Sequence, residues 1–180
     1  MPYCLGLDIS TTTLGFCLIN MDDFSDFIVD HISLDKVKTK TFWQKFDFAK
    51  SELEKVISQY DIVKFGVEEN LIGFTPHMSS ANTIVVLAKF NAVISSYVRD
   101  RLSLDPINVK FVTARKVAGV AVQQKKKCGK TAKEQVIDQL TAEGKPLFFL
   151  SQFKTKTGKL KPWVGDRVDA WVIANFIKSK

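Results

Sequence analysis

The chain has 180 residues, 46% of them hydrophobic and 25% charged, with a formal net charge of +7. This is the length of one domain, long enough to bury a core without disulfide or metal staples, and the composition argues against disorder. No apolar run approaches the ~18 residues of a membrane span, and Met1-Pro2-Tyr3-Cys4-Leu5 lacks a basic flank, so neither membrane insertion nor secretion is expected.

Tyr3, Leu5, Leu7 and Ile9 alternate with Cys4, Gly6 and Asp8, which predicts a strand. The polar tract Ser10-Thr11-Thr12-Thr13 is a turn, and Leu14 to Asn20 a second strand, joined closely enough to form an antiparallel hairpin. A third strand over Asp26–Leu34 follows the acidic turn Asp22-Asp23. Helical spacing of Phe46, Ala49, Leu53, Val56, Ile57 and Tyr60 predicts a helix from Trp43 to Tyr60. Ile62–Glu68 is a fourth strand, entering a loop at Glu69-Asn70. A long helix over Ser79–Arg101 follows, either packing on the sheet or forming a dimer face. Ile107–Thr113 is a fifth strand, with short helices at Ala114–Val120 and Thr131–Leu140. Ser151–Pro162 reads as a mobile loop, and Asp166–Ile177 as the last helix. Three strands followed by alternating helix and strand predict an α/β fold: one mixed five-stranded sheet with helices on both faces, three antiparallel strands and then two parallel ones. No repeat or linker divides it, so residues 1–180 are expected to be a single domain.

The charge is unevenly divided. Residues 1–109 hold 10 Lys and Arg against 14 Asp and Glu, whereas residues 110–180 hold 16 against 5. A basic excess confined to one stretch, densest at Lys125, Lys126, Lys127, Lys130 and Lys133, points to a polyanion such as nucleic acid. Cys4, Cys17 and Cys128 are odd in number and form no C-x-x-C pair, as expected of reduced thiols in a cytoplasmic protein. His31 and His77 are isolated and are expected at the surface, with no zinc spacing around them. Gly129-Lys130-Thr131 resembles the end of a phosphate loop, but Gln124 stands where its upstream glycine is required.

Four acids carry the chemical argument. Asp8 lies near the end of the first strand and Glu68 ends the fourth, so parallel pairing of those strands would bring both to one carboxyl edge, where α/β ligand sites form. Asp166 and Asp169 are three apart and share a helix face. Each has a simpler reading: an Asx turn for Asp8, a solvated strand end for Glu68, and helix capping for the two aspartates. Together they form an oxygen-only set suited to Mg2+ or Mn2+. Two such ions ~4 Å apart can clamp both oxygens of a phosphodiester displacement.

Leu5-Gly6-Leu7-Asp8-Ile9-Ser10 through Leu14-Gly15-Phe16-Cys17, Gly66-Val67-Glu68-Glu69 and Asp166-Arg167-Val168-Asp169-Ala170 resemble, in order and over essentially the whole chain, the RuvC-type Holliday-junction resolvases of the RNase H-like superfamily. Met78–Ile94 matches their long central helix, and Lys133-Glu134-Gln135-Val136 a basic helix start. The departures fit a phage or other divergent member. The resemblance implies an RNase H-like fold and a homodimer that nicks two strands of a four-way DNA junction symmetrically in the cytoplasm of its cell or host. It makes Asp8, Glu68, Asp166 and Asp169 the metal ligands, with Glu69 the alternative to Glu68, and makes Lys133 a contact to the scissile phosphate. A second basic position of the family falls near Ala118, leaving Lys116 or the Lys125–Lys127 cluster in its place. The family's aromatic wedge falls at Leu71, with Phe74 the nearest ring. Two alternatives stay open: a nuclease of the same superfamily acting on RNA or other branched nucleic acid, and a fragment of an actin-like or sugar-kinase-type protein, which Gly6–Thr12 also resembles.

Overall fold

In strand β1 (Pro2–Ile9), the period of two sends Tyr3, Leu5, Leu7 and Ile9 to one face of the sheet and Cys4, Gly6 and Asp8 to the other. The computed structural model describes residues 1–36, 41–69, 81–123, 129–144 and 147–180. Strand β2 (Thr13–Asn20) folds back on β1, with Asp8 opposite Gly15. The Ser10 hydroxyl makes the turn itself, accepting from the Thr12 and Thr13 amides and donating to the Thr13 carbonyl. Asp8 is therefore not consumed by an Asx turn. Strand β3 (Phe27–Ser33) pairs antiparallel with β2, and β4 (Asp61–Glu68) and β5 (Ile107–Val109) add in parallel, in the order β3-β2-β1-β4-β5. The expected mixed sheet is present.

Helices cover both faces. Helix α1 (Phe42–Ile57), opened by a Thr41–Gln44 capping box, buries Ala49, Leu53 and Ile57 against the Leu5–Leu7 face together with α2 (Ala81–Leu102). On the other face lie α3 (Phe111–Val117), α4 (Ala132–Ala142) and α5 (Pro162–Lys178). Eleven residues of α5 are buried, from Val164 to Ile177, as its apolar sequence requires. At ~1.5–3 kcal/mol for each large apolar side chain, this helix is a principal anchor of the fold.

Three expectations need correction. The fifth strand stops at Val109, and Phe111–Val117 is helical, because Phe111, Ala114 and Ala118 also fit a helical stripe whose centre, Ala114, is buried. The last helix begins at Pro162 rather than Asp166, with proline at its first position, where no amide donor is needed. The segment read as a mobile loop holds the end of a 3-10 turn (Phe148–Gln152) and then a closed hairpin, bridged at Lys154 and Leu160. Helix α2 also departs from the opening expectation about apolar runs. With a mean hydropathy of 1.3 over its best window, it is long and apolar enough to cross a membrane by length and composition. Here its Phe90, Ile94 and Val98 are buried against the sheet. Its expected start at Ser79 lies outside the described residues, as do Cys128 and His77. Cys4 and Cys17 are buried free thiols. His31 is half-buried, stacked on Trp163 with ring centroids 4.7 Å apart, and bonded to Arg167.

Candidate active site

The sheet parity that buries Leu5 and Leu7 on one side turns Asp8 toward α5 on the other. Leu7 pairs with Val67, so Glu68, two residues beyond Gly66, ends β4 beside Asp8 on that same side. Asn91 of α2 donates from Nδ2 to the Glu68 carbonyl at 3.4 Å and pins the strand end. Glu69 belongs to the next position in the alternation, and its carboxylate lies 3.8 Å from Lys110 Nζ. The face opposite is brought close by glycine. A Cβ at Gly6 would overlap the Ala170 backbone, and one at Gly15 the Asp166 backbone, so α5 rests directly on the β1–β2 hairpin. That contact sets Asp166 and Asp169 over Asp8.

Neither aspartate lies in the first turn of α5, so capping does not account for them. Asp169 is 1% exposed and Asp166 15%. Between the acids stands Lys133 of α4, whose Nζ lies 2.8 Å from Asp166 Oδ1, 3.1 Å from Asp169 Oδ2 and 3.6 Å from Asp8 Oδ2. Gly165 makes room for its stem, since a Cβ there would sit 2.6 Å from Lys133 Cδ.

Arg115 of α3, which the sequence reading missed, donates from Nη2 to Asp169 Oδ1 at 3.2 Å. Its guanidinium lies over Phe111, and its buried Nε has no hydrogen-bond partner among the described residues. A lone arginine on a short helix looks like any surface arginine in a sequence. Only the crossing of α3 and α5 reveals it.

The electrostatics describe a site short of positive charge. Burial drives the Asp8 carboxyl well above the usual range; Lys133 opposes this, while Asp169, Asp166 and Glu68 add to it. Glu68 is pushed up to about 7, by burial first and then by Asp169, against Lys133 and Arg115. Burial alone would lower the Lys133 ammonium, but Asp8, Asp169 and Asp166 outweigh it and raise its pKa. Four carboxylates facing two cations leave a formal deficit that a divalent ion would fill. Among the described residues, no group of three or more His, Cys, Asp or Glu is arranged to hold an ion as it stands. The Lys133 ammonium stands among three of these carboxylates, a monovalent cation on an oxygen-only set whose chemistry suits Mg2+ or Mn2+.

The other expected contacts are not gathered here. Lys116 is exposed on α3 and makes no ion pair with the acids among the described residues, and Lys130 pairs with Asp138 at 2.6 Å. Lys125, Lys126, Lys127, Leu71 and Phe74 lie outside the described residues.

A mixed sheet in the order β3-β2-β1-β4-β5, with three helices packed over one face and two over the other among the described residues, is the RNase H-like fold. Within that class, the chain is similar in structure to Thermus thermophilus RuvC, with a TM-score of 0.56 and 13% identity over 96% of this chain and 91% of that one. It is similar also to the yeast mitochondrial Holliday junction resolvase Ydc2, with a TM-score of 0.53 and 11% identity over 97% of this chain and 77% of that one. The Fowlpox virus resolvase, solved with its substrate Holliday junction DNA, matches with a TM-score of 0.52 and 10% identity over 98% and 97%. No known protein family and no curated protein matches the sequence. At these identities the likeness is one of fold.

Proposed function

We propose that this protein is a metal-dependent endonuclease that resolves four-way DNA junctions, nicking two strands symmetrically as a homodimer. The observation that carries the reading is the convergence of Asp8, Asp166 and Asp169, from one strand and one helix, on a single ammonium group, with Glu68 of the parallel neighbouring strand beside them at the carboxyl edge of the sheet. The fold, shared with junction resolvases of bacterial, mitochondrial and viral origin, supports it.

In this reading the four carboxylates hold the divalent ions, with Glu68 preferred to Glu69 because it faces the other acids. When bound, Mg2+ or Mn2+ ions supply Lewis-acid stabilisation of the charge that develops on the phosphate. The chain's own groups do the rest. Arg115 fixes Asp169 through Oδ1 and leaves Oδ2 turned to the centre. Lys133, on a flexible four-carbon stem, can pass its hydrogen bonds from the carboxylates to a phosphate oxygen of the substrate. Selectivity for a branch would come from the spacing of two sites in a dimer, since contacts to phosphate carry no sequence information.

The test is incubation of the protein with a synthetic four-way junction and a matched linear duplex, each with Mg2+ and with EDTA. Paired nicks at symmetric positions, confined to the junction and dependent on Mg2+, are expected. Asp8→Asn should lower cleavage by ~10²-fold or more while junction affinity stays within a few-fold. Cleavage of linear duplex at the same rate, or ATP hydrolysis without DNA cleavage, would overturn the reading.

A further inference from the structure

Beside the acid cluster runs a second feature that the chemistry above does not use. The hairpin after the 3-10 turn is closed by the Thr155 amide donating to the Lys159 carbonyl at 2.6 Å, and by the Lys161 amide donating to the Phe153 carbonyl at 3.0 Å. Its tip turns at Gly158, whose φ of +79° suits glycine. Phe153 and Leu160 pack on the core and anchor it. Between this hairpin and α4 lies a groove of about 860 Å³ with Ile137 and Leu160 in its lining. Lys133 and Gly165 line it too, so the groove runs up to the lysine whose ammonium stands among the acids.

Its charge is lopsided. On the α4 wall, Asp138 is paired with Lys130, and Glu134 caps its own helix through the Thr131 amide and hydroxyl. On the hairpin wall, Lys154 and Lys159 are exposed and make no ion pair among the described residues, and Lys161 stands over the Trp163 ring. The acids of one wall are satisfied internally, while the lysines of the other face the opening.

We propose that this groove is a channel for the phosphate backbone of the nucleic-acid strand that runs away from the cleaved phosphate, gripped by Lys154, Lys159 and Lys161. The inference rests on the nuclease reading for its direction, because the groove's inner end is bounded by Lys133, the lysine of the proposed catalytic centre. At ~1.5 Å per residue, the α4 wall is about 16 Å long, room for roughly four or five nucleotides at ~3.4 Å each. The lysines release counterions from the backbone and supply sequence-independent affinity.

The test measures binding of the full chain to a fluorescein-labelled four-way junction in EDTA, by anisotropy over a series of NaCl concentrations. Lys154→Gln/Lys159→Gln is compared with Lys156→Gln, an exposed lysine of the same hairpin that does not line the groove. All three side chains are exposed, so folding should be untouched. The double variant is expected to weaken binding about 10-fold at low salt and to flatten the slope of log affinity against log salt by about 0.9 per lysine. Lys156→Gln should change the slope by less than half of that. Unchanged slope and affinity in the double variant, or an equal loss per lysine from Lys156→Gln, would overturn the channel. Groove effects in a protein that does not cleave junctions would sink the nuclease reading and leave the channel standing; a cleaving enzyme with silent groove variants would do the reverse.

Discussion

Lys133 and Arg115 hold opposite oxygens of Asp169, and their surroundings assign them different work. Arg115 donates to Asp169 and packs on Phe111, which fixes the carboxylate's orientation. Lys133 reaches three acids at once, where the divalent ion of the proposed mechanism would settle. Removing it exchanges a formal cluster charge of −2 for −3. Lys133→Ala should therefore lower the maximal cleavage rate by ~10²-fold, cost less than ~10-fold in junction affinity, and reduce the Mg2+ concentration needed for half-maximal rate. Gly165→Ala, which crowds the same stem, should move both kinetic quantities in the same direction by less. Steady-state cleavage at varied Mg2+ and DNA checks this; equal losses in rate and affinity would make Lys133 an ordinary phosphate contact. The four acids were legible in the sequence because strand parity and i, i+3 helix spacing fix their directions. Arg115 was not, because its role depends on how two helices cross.

Among the elements, α5 decides whether the acids meet. It approaches the β1–β2 hairpin through Gly6 and Gly15, and its outer edge is latched to β3 where Arg167 bonds Asp30 and His31 while lying over the Trp163 ring. An alanine at Gly15 must push the Asp166 backbone away, and overpacking of this kind costs roughly 1–3 kcal/mol. Gly15→Ala should thus lower the urea midpoint and, in buffer where the protein is still folded, reduce cleavage well beyond any loss of folded fraction. A folded variant with normal stability and turnover would show that the close approach does not set the site. The hairpin, β4 and the body of α5 were readable because apolar alternation or an all-apolar helix leaves little choice. The start of α5 was missed because Asp166 looks like a cap, although Pro162 carries the stronger signal. The junction of β5 and α3 was misread because Ile107, Val109, Phe111 and Thr113 satisfy period two, while Phe111, Ala114 and Ala118 satisfy the helical period. Tertiary burial of Ala114 decides between them.

For the molecule as a whole, the charge division has a spatial meaning. The basic segment 110–180 supplies α3, α4, the Lys154–Leu160 hairpin and α5, which share one face of the sheet with the acids. The opposite face carries α1 and α2, and there the first half of α2 is only partly buried: no residue from Ala81 to Lys89 is fully buried, and Val85 and Leu87 remain 48% and 37% exposed. An apolar stretch of this kind is what a stable protein contact of ~800 Å² per partner needs at its centre. Symmetric nicking requires two active sites in one particle, and a second copy packed along this stretch would leave both basic faces free for DNA. If the protein is the proposed homodimer, the wild type should sediment as a dimer and the double variant Val85→Glu/Leu87→Glu as a monomer. On a four-way junction it should convert paired nicks into single, uncoordinated ones. Sedimentation velocity together with a supercoiled cruciform plasmid, which distinguishes linear from nicked product, reads both effects. A variant that stays dimeric and still linearises the plasmid would move the interface elsewhere, and a monomeric wild type that makes paired nicks would remove the need for one.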